Sequence, residues 1–134
     1  MKTILIVQSV PVWMSILISA ISAKLPELAD FIGGTDSFDH ALDLIPLKGE
    51  LIVITSDMFH DQSSQHRKSV TQKAFDSDKN SDNLAKLVKK KNKNAKVFVF
   101  SEFKPKTAEY LDGFIQKEHS NQIKNITNVL KIFE

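Results

Sequence analysis

The stretch Thr3-Ile4-Leu5-Ile6-Val7 is a continuous run of apolar and β-branched side chains in a chain of 134 residues. A run of this kind, without polar alternation, is typical of a strand that is buried on both faces of a parallel sheet. Pro11 can open a helix at its first turn, and apolar side chains then recur at helical spacing over residues 12–23. The stretch therefore predicts a strand followed by a helix, the repeating unit of an α/β fold.

The same alternation of strand and helix patterns continues along the chain. Further strands are predicted at residues 31–32, 51–54, 97–100 and 114–115, and Gly33 and Gly34 are expected to end the first of these. Further helices are predicted over residues 38–45, from Ser81 to the lysines 89–91, around residues 107–111, and from a cap at Ser120 through Ile123, Ile126, Leu130 and Phe133. The order predicts a doubly wound, five-stranded parallel sheet with helices on both faces.

The segment from His60 to Asn80 is polar and has no convincing period. We interpret residues 60–80 as a long polar loop before the third helix, which is unusual inside a compact domain. Neither an internal repeat nor a second domain is evident, so residues 1–134 are predicted to form a single domain.

Composition excludes several classes of function. The net charge of +2 is small and the basic residues are not interleaved with aromatic ones, so we predict no nucleic-acid partner. The chain has no cysteine, which excludes disulfides and zinc–thiolate sites. His60, Asp61 and His66 lack helical spacing and a fourth ligand, so no metal site is predicted there.

Residues 1–23 resemble an export signal, because Lys2 precedes an apolar run that ends in small residues. Gln8, Ser9 and Pro11 interrupt that run where an export helix should be uniformly apolar. No stretch is long and apolar enough to span a membrane, and we predict a cytoplasmic protein without a membrane partner.

A stretch near the C-terminus carries a family resemblance. Leu111-Asp112-Gly113-Phe114-Ile115-Gln116-Lys117 resembles the last strand of the receiver domain of bacterial two-component response regulators, and residues 29–45 resemble its second strand and helix. The resemblance extends over nearly the whole chain and implies the flavodoxin-like fold. In such sheets, ligands bind at the carboxyl ends of the strands, where the winding direction changes.

The resemblance implies a phosphoryl-transfer site at those strand ends. In receivers, two acids after the first strand hold Mg²⁺ and an aspartate after the third strand accepts the phosphoryl group. Here the first-strand positions hold Gln8 and Ser9, and Thr55 stands at the acceptor position, with Asp57 two residues later. Neutral side chains are weak ligands for Mg²⁺, and a threonine hydroxyl is a poor acceptor.

Other receiver positions are retained. Ser101 follows the fourth strand and Lys117 the fifth, where the family has its hydroxyl residue and its lysine, and Phe114 matches the switching aromatic. Lys117 could also be a plain surface lysine or a structural partner of Asp57. Trp13, early in the first helix, is predicted to pack in the core.

Three functions fit this pattern. The leading hypothesis is a degenerate receiver, or pseudo-receiver, that is not an enzyme, needs no cofactor and acts in bacterial signalling by protein–protein contact without phosphorylation. The second is a phosphorylatable receiver that uses Asp57 with Mg²⁺, and the third is a small flavodoxin-like ligand-binding domain or enzyme.

The resemblance also implies a contact surface for the partner. This surface is the face of the fourth helix, fifth strand and fifth helix, including Phe114, Lys117 and the exposed side of residues 123–133. Receivers often pair through it, so a homodimer is a further expectation.

Overall fold

The computed structural model describes residues 2–60 and 75–134, and they contain seven strands and four α-helices. The strands are β1 (Lys2–Val7), β2 (Phe31–Thr35), β3 (Glu50–Thr55), β4 (Met58–His60), β5 (Phe75–Asn80), β6 (Ala95–Ser101) and β7 (Gly113–Gln116). The helices are α1 (Pro11–Ser22), α2 (Phe38–Asp43), α3 (Ser81–Lys91) and α4 (Gln122–Leu130), and a short 3-10 helix follows at Lys131–Phe133.

Five strands form one parallel sheet in the order β2-β1-β3-β6-β7. The strand β1 lies between β2 and β3, so the winding direction changes beside it, and Val7 pairs with both Thr35 and Thr55. The carboxyl ends of β1 and β3 therefore meet at one edge of the sheet. The predicted doubly wound, five-stranded parallel sheet is confirmed.

Alternate side chains of β1 point to opposite faces of the sheet, and each face has its own core. Leu5 and Val7 pack with apolar side chains of α2 and α3 on one face. Ile4 and Ile6 pack with those of α1 and α4 on the other. Burial on both faces explains why the strand sequences are continuous apolar runs.

The second strand is longer than predicted, because β2 continues through Gly33 and Gly34 to Thr35. A Cβ atom on Gly34 would lie 2.6 Å from the side chain of Ile18 and 2.9 Å from that of Met14. Both of these residues belong to α1. The prediction that the glycines end the strand was wrong, since here glycine allows a helix to approach the strand closely.

Part of the predicted polar loop is an antiparallel strand pair formed by β4 and β5. Its anchor is Phe59, which is buried and packs edge-on against Phe38 of α2 at 5.5 Å between ring centroids. Lys79 adds an ion pair of 3.0 Å to Asp39. The polar composition of β5 concealed a strand, and residues 61–74, including Asp61 and His66, lie outside the described residues.

The helix predicted around residues 107–111 is absent, and residues 102–112 follow an irregular path. The backbone N–H of Tyr110 donates to the Asp82 carboxylate at 2.7 Å. The N–H of Asp112 donates to the Val97 carbonyl at 2.8 Å, and the Asp112 carboxylate accepts from the Val97 N–H. Tertiary partners thus take backbone groups that a helix would use internally.

The last helix differs in detail from its prediction. Asn121, not Ser120, caps α4 by accepting from the Lys124 N–H at 3.1 Å, since Ser120 has a left-handed φ of 65°. The buried side of α4 carries Asn125 and Val129. Ile123, which was expected on the same stripe as Ile126 and Leu130, is 80% exposed.

The segment that resembles an export signal forms β1 and α1, and both elements contribute buried side chains to the core. Within residues 2–60 and 75–134, no helix combines the length and apolar character that a bilayer crossing requires.

Candidate functional site

The carboxyl end of the sheet contains a cavity of about 310 Å³. Five of the residues predicted from the sequence line it, namely Gln8, Ser9, Asp57, Ser101 and Lys117. Val10, Ser56, Met58, Phe100, Glu102 and Phe103 complete the lining. We call this the strand-end cavity, and it lies where the change of winding direction leads one to expect a ligand site.

Three neutral side chains of the strand-end cavity bind one another. The Ser56 hydroxyl donates to Gln8 Oε1 at 3.2 Å and accepts from the Ser9 N–H at 2.9 Å. Gln8 is 2% exposed, and its amide nitrogen donates to the Ile54 carbonyl at 3.4 Å. The ends of β1 and β3 are therefore joined by a satisfied neutral network that we call the Gln8–Ser56–Ser9 network.

This donor set does not suit Mg²⁺, which prefers carboxylate and water oxygens in octahedral geometry. The cavity holds two carboxylates, but both have other neighbours. Asp57 accepts from the Ser81 hydroxyl at 2.8 Å, and Glu102 lies 3.6 Å from His119. Among the residues that the structure describes, no group of three His, Cys, Asp or Glu side chains converges on a common point.

Asp57 links the end of β3 to the start of α3. Its carboxylate accepts from the hydroxyl of Ser81, which is fully buried, and its backbone carbonyl accepts from the Ser81 N–H at 2.7 Å. A carboxylate at a helix N-terminus also interacts favourably with the helix dipole. These contacts give Asp57 a structural role that requires no ligand.

Lys117 lies on aromatic rings. Its Nζ is 4.6 Å from the ring centroid of Trp13 and 5.7 Å from that of Phe100, and the two rings meet edge-on at 5.6 Å. Contacts of this kind are cation–π interactions. Burial against the rings lowers the pKa of Lys117 below the ordinary value of 10.5, and the charge of Glu102 partly opposes this effect. Trp13 is thus a platform for the lysine as well as a neighbour of the core.

Thr55 and Phe114 were placed at this site from the sequence, but they do not line the strand-end cavity. Thr55 is buried and its hydroxyl donates to the Ser56 carbonyl at 2.9 Å. Phe114 of β7 borders a separate cavity of about 220 Å³ with Pro105, Ala108 and Leu111. Ser101, which does line the strand-end cavity, accepts from the Phe103 N–H at 3.4 Å.

Sequence reasoning missed the contributions of Ser56 and Trp13. The contribution of Ser56 follows from strand register: Val7 pairs with Thr55, so the residues after them, Gln8 and Ser56, meet at the sheet edge. Pairing of Ser101 with Gln116 likewise places Lys117 beside the end of β6. No local motif marks Trp13, because its contact with Lys117 joins two distant parts of the chain.

The sheet order, the helices on both faces and the position of the cavity define the flavodoxin-like fold of receiver domains. The response regulator TrrA from Thermotoga maritima, solved in complex with Mg²⁺-BeF, is similar over all of both chains, with a TM-score of 0.65 at 16% identity. A CheY-like receiver domain protein from Methanospirillum hungatei has a TM-score of 0.62 at 13% identity, over 98% of this chain and 94% of its own. A further T. maritima response regulator reaches 0.58 at 14% identity, covering 98% and 97% of the two chains.

The sequence matches no protein-family model, and no curated protein matches it significantly. The likeness to receivers is therefore one of fold.

Proposed function

We propose that this protein is a degenerate receiver that acts in bacterial two-component signalling through protein contact, without being phosphorylated and without enzymatic activity. The observation that carries the proposal is the Gln8–Ser56–Ser9 network, which occupies the strand ends where receivers need acids. Its hydrogen bonds are satisfied internally, so no cation is required to hold the ends of β1 and β3 together.

The positions of Asp57 and Lys117 support the same proposal. Phosphoryl transfer depends on groups that position and neutralise the transferred phosphoryl group. Asp57 instead holds the buried hydroxyl of Ser81, and Lys117 lies on Trp13. Two groups with the right chemistry therefore have other contacts.

The partner surface that we propose differs from the receiver pattern. No helix lies between β6 and β7, so the surface consists of β7, α4 and residues 102–112, next to the strand-end cavity that Glu102 and Phe103 line. Phe103 and Ile123 are 77% and 80% exposed, and large exposed apolar side chains of this kind favour protein contact. A second copy of the chain and a signalling protein are both suitable partners, in the cytoplasm.

Phosphorylation can be tested by incubation with Mg²⁺ and acetyl phosphate, a small phosphoryl donor, followed by intact-mass spectrometry. We expect no phosphoryl adduct on the wild type. Stoichiometric addition of one phosphoryl group that Asp57→Ala abolishes would overturn the proposal.

Homodimerisation can be tested by sedimentation equilibrium of the wild type and of Phe103→Ser/Ile123→Ser. We expect the double variant to shift the protein toward monomer. Leu44→Ser/Leu47→Ser also removes two exposed apolar side chains, outside the proposed surface, and is the matched control. Equal effects of both changes would contradict the proposed pairing surface.

The second candidate is a phosphorylatable receiver that uses Asp57. One observation favours it: Asp57, Ser101 and Lys117 line the same cavity. This candidate requires Asp57 to leave Ser81 and requires Mg²⁺ to bind with few carboxylate ligands. It predicts a phosphoryl adduct in the mass experiment, so that experiment separates the two candidates.

A further inference from the structure

A second and larger cavity lies at the opposite end of the sheet, where the strands begin. Its volume is about 710 Å³, and it lies between the amino ends of β1, β3 and β6 and the C-terminal end of α3. Four lysines line it, namely Lys2, Lys89, Lys93 and Lys96. Asn94 and the acids Glu50 and Asp112 are also part of the wall. We call this the amino-end cavity.

The charges of the amino-end cavity are not balanced. Lys89 forms an ion pair of 2.9 Å with Asp112, whose Oδ2 also accepts from the Val97 N–H at 2.7 Å. Lys2, Lys93 and Lys96 form no ion pair with residues 2–60 or 75–134. Glu50 is the other acid of the wall, and the Asp30 carboxylate, beside the wall, accepts from the Lys2 N–H at 2.8 Å. The cavity therefore has an excess of positive charge.

Side-chain hydrogen bonds hold the turn that carries Lys93 in the wall of the amino-end cavity. Asn92 is 2% exposed, and its amide nitrogen donates to the carbonyls of Pro46 at 2.9 Å and Gly49 at 3.1 Å. Its Oδ1 accepts from the Asn94 N–H at 2.9 Å. The turn that carries Lys93 is thus tied to the loop before β3 by a buried side chain.

We propose that the amino-end cavity binds an acidic segment of a protein partner. Separate lysine ammonium groups are point charges that suit carboxylates spaced along a peptide, whereas tight recognition of a single phosphate favours the planar fork of arginine. The lining contains neither arginine nor an aromatic ring, so it offers no surface on which a nucleic-acid base can stack. An acidic peptide therefore matches both the charge and the breadth of the cavity.

This binding site is independent of the strand-end cavity, because the two lie at opposite ends of the same strands. A receiver that was phosphorylated at Asp57 would have the same amino-end cavity. Failure of one proposal therefore leaves the other standing.

The test is fluorescence anisotropy of a labelled octaglutamate peptide at low salt and at 0.15 M salt, with octaglutamine as the neutral peptide. The variant is Lys93→Glu/Lys96→Glu, and the control is Lys104→Glu/Lys106→Glu, which makes the same charge change outside the cavity. We expect the variant to bind about tenfold more weakly than the control, since two exposed charge contacts are reversed. Binding should weaken as salt rises.

An amide NMR titration of the wild type with octaglutamate checks the location without any variant. Shifts should cluster at Asn94, Ala95 and Lys96 and should spare Ser101 and Lys117. Equal loss of binding in the two charge variants would reduce the effect to net charge and overturn the proposal. So would tighter binding of duplex DNA at the same amides, or no octaglutamate binding at low salt.

Discussion

The carboxyl and amino ends of the sheet differ in how their polar and charged side chains are paired. At the carboxyl end, Gln8, Ser9 and Ser56 satisfy one another and leave no unpaired charge among them. At the amino end, Lys2, Lys93 and Lys96 line a larger cavity whose wall holds four lysines and two acids. Both ends belong to the same buried strands, so the contrast comes from a few residues at the strand ends and just beyond them.

This contrast illustrates that the residues at the strand ends, and not the fold alone, determine what the protein can do. A receiver uses the carboxyl end of its sheet for chemistry that needs acids and a cation. In this protein, Gln8, Ser9 and Ser56 bind each other at that end, whereas the cavity at the other end is lined by four lysines, of which Lys89 alone has an ion-pair partner among residues 2–60 and 75–134. The proposed function therefore rests on the contacts at the strand ends and not on the architecture of the sheet.

The largest expected effect comes from placing a charge in the Gln8–Ser56–Ser9 network. Gln8→Asp puts a carboxylate in a buried position among neutral side chains, and we expect a loss of about 3 kcal/mol in the free energy of unfolding. Urea unfolding without Mg²⁺ measures this loss. Asn94→Asp, among the lysines of the amino-end cavity, should be neutral or slightly stabilising. Similar losses of unfolding free energy from Gln8→Asp and Asn94→Asp would contradict the difference between the two ends.

Asn92→Ala tests the fixed wall of the amino-end cavity. The change leaves the carbonyls of Pro46 and Gly49 without their donor, and we expect the protein to lose about 2 kcal/mol of stability. It should also weaken octaglutamate binding, because the turn that carries Lys93 loosens. Asn94→Ala, whose side chain is exposed, is the control and should change stability little. Unaltered peptide binding by Asn92→Ala would show that the wall does not shape the site.

Ser56→Ala tests how much the Gln8–Ser56–Ser9 network contributes to stability, because Ser56 is the residue that joins the other two. The change removes the acceptor of the Ser9 N–H and the donor to Gln8 Oε1, which should cost about 1 kcal/mol. Thermal unfolding measures the change, with Ser101→Ala as the control, since the Ser101 hydroxyl makes only a long contact of 3.4 Å. A Ser56→Ala protein as stable as the wild type would mean that the network contributes nothing to stability.

The smallest expected effect is a change in the pKa of Lys117. Glu102→Gln removes the charge that raises the pKa of Lys117, so this lysine should titrate at a lower pH than in the wild type. NMR of the lysine side chains as a function of pH measures the midpoint, and Glu109→Gln should leave it unchanged. A midpoint for wild-type Lys117 at or above 10.5 would contradict burial on Trp13.

The same shift has a consequence for stability. Because the native protein holds the Lys117 proton less tightly than the unfolded chain, this group makes the free energy of unfolding rise with pH between its native pKa and the ordinary value of 10.5. The effect should be small, since the side chain is partly solvated.

The doubly wound parallel sheet could be predicted here because β1, β3 and β6 are continuous apolar runs. The pattern failed where tertiary contacts override it. Phe59 of β4 is deeply buried although its strand was not predicted, and the Tyr110 N–H donates to Asp82 where a helix was predicted. Gly33 and Gly34 were predicted to end the second strand, but both lie within β2, and Gly34 allows α1 to approach it closely.

The candidate site was predicted in part for the same reason. Strand ends place Gln8, Ser9, Ser101 and Lys117 without any knowledge of packing. The hydrogen bonds of Ser56 and the contact between Trp13 and Lys117 depend on distances across the sheet edge, which no local pattern encodes.

The proposal that this protein acts without phosphorylation is tested most directly by an amide NMR titration of the wild type. Mg²⁺ is added first, and then beryllofluoride, a mimic of the aspartyl phosphate. We predict no response of Asp57, Ser101 or Lys117 at concentrations that saturate a working receiver. Magnesium-dependent shifts that cluster at these three residues would show a live acceptor site and would contradict the claim that this receiver fold acts without phosphorylation.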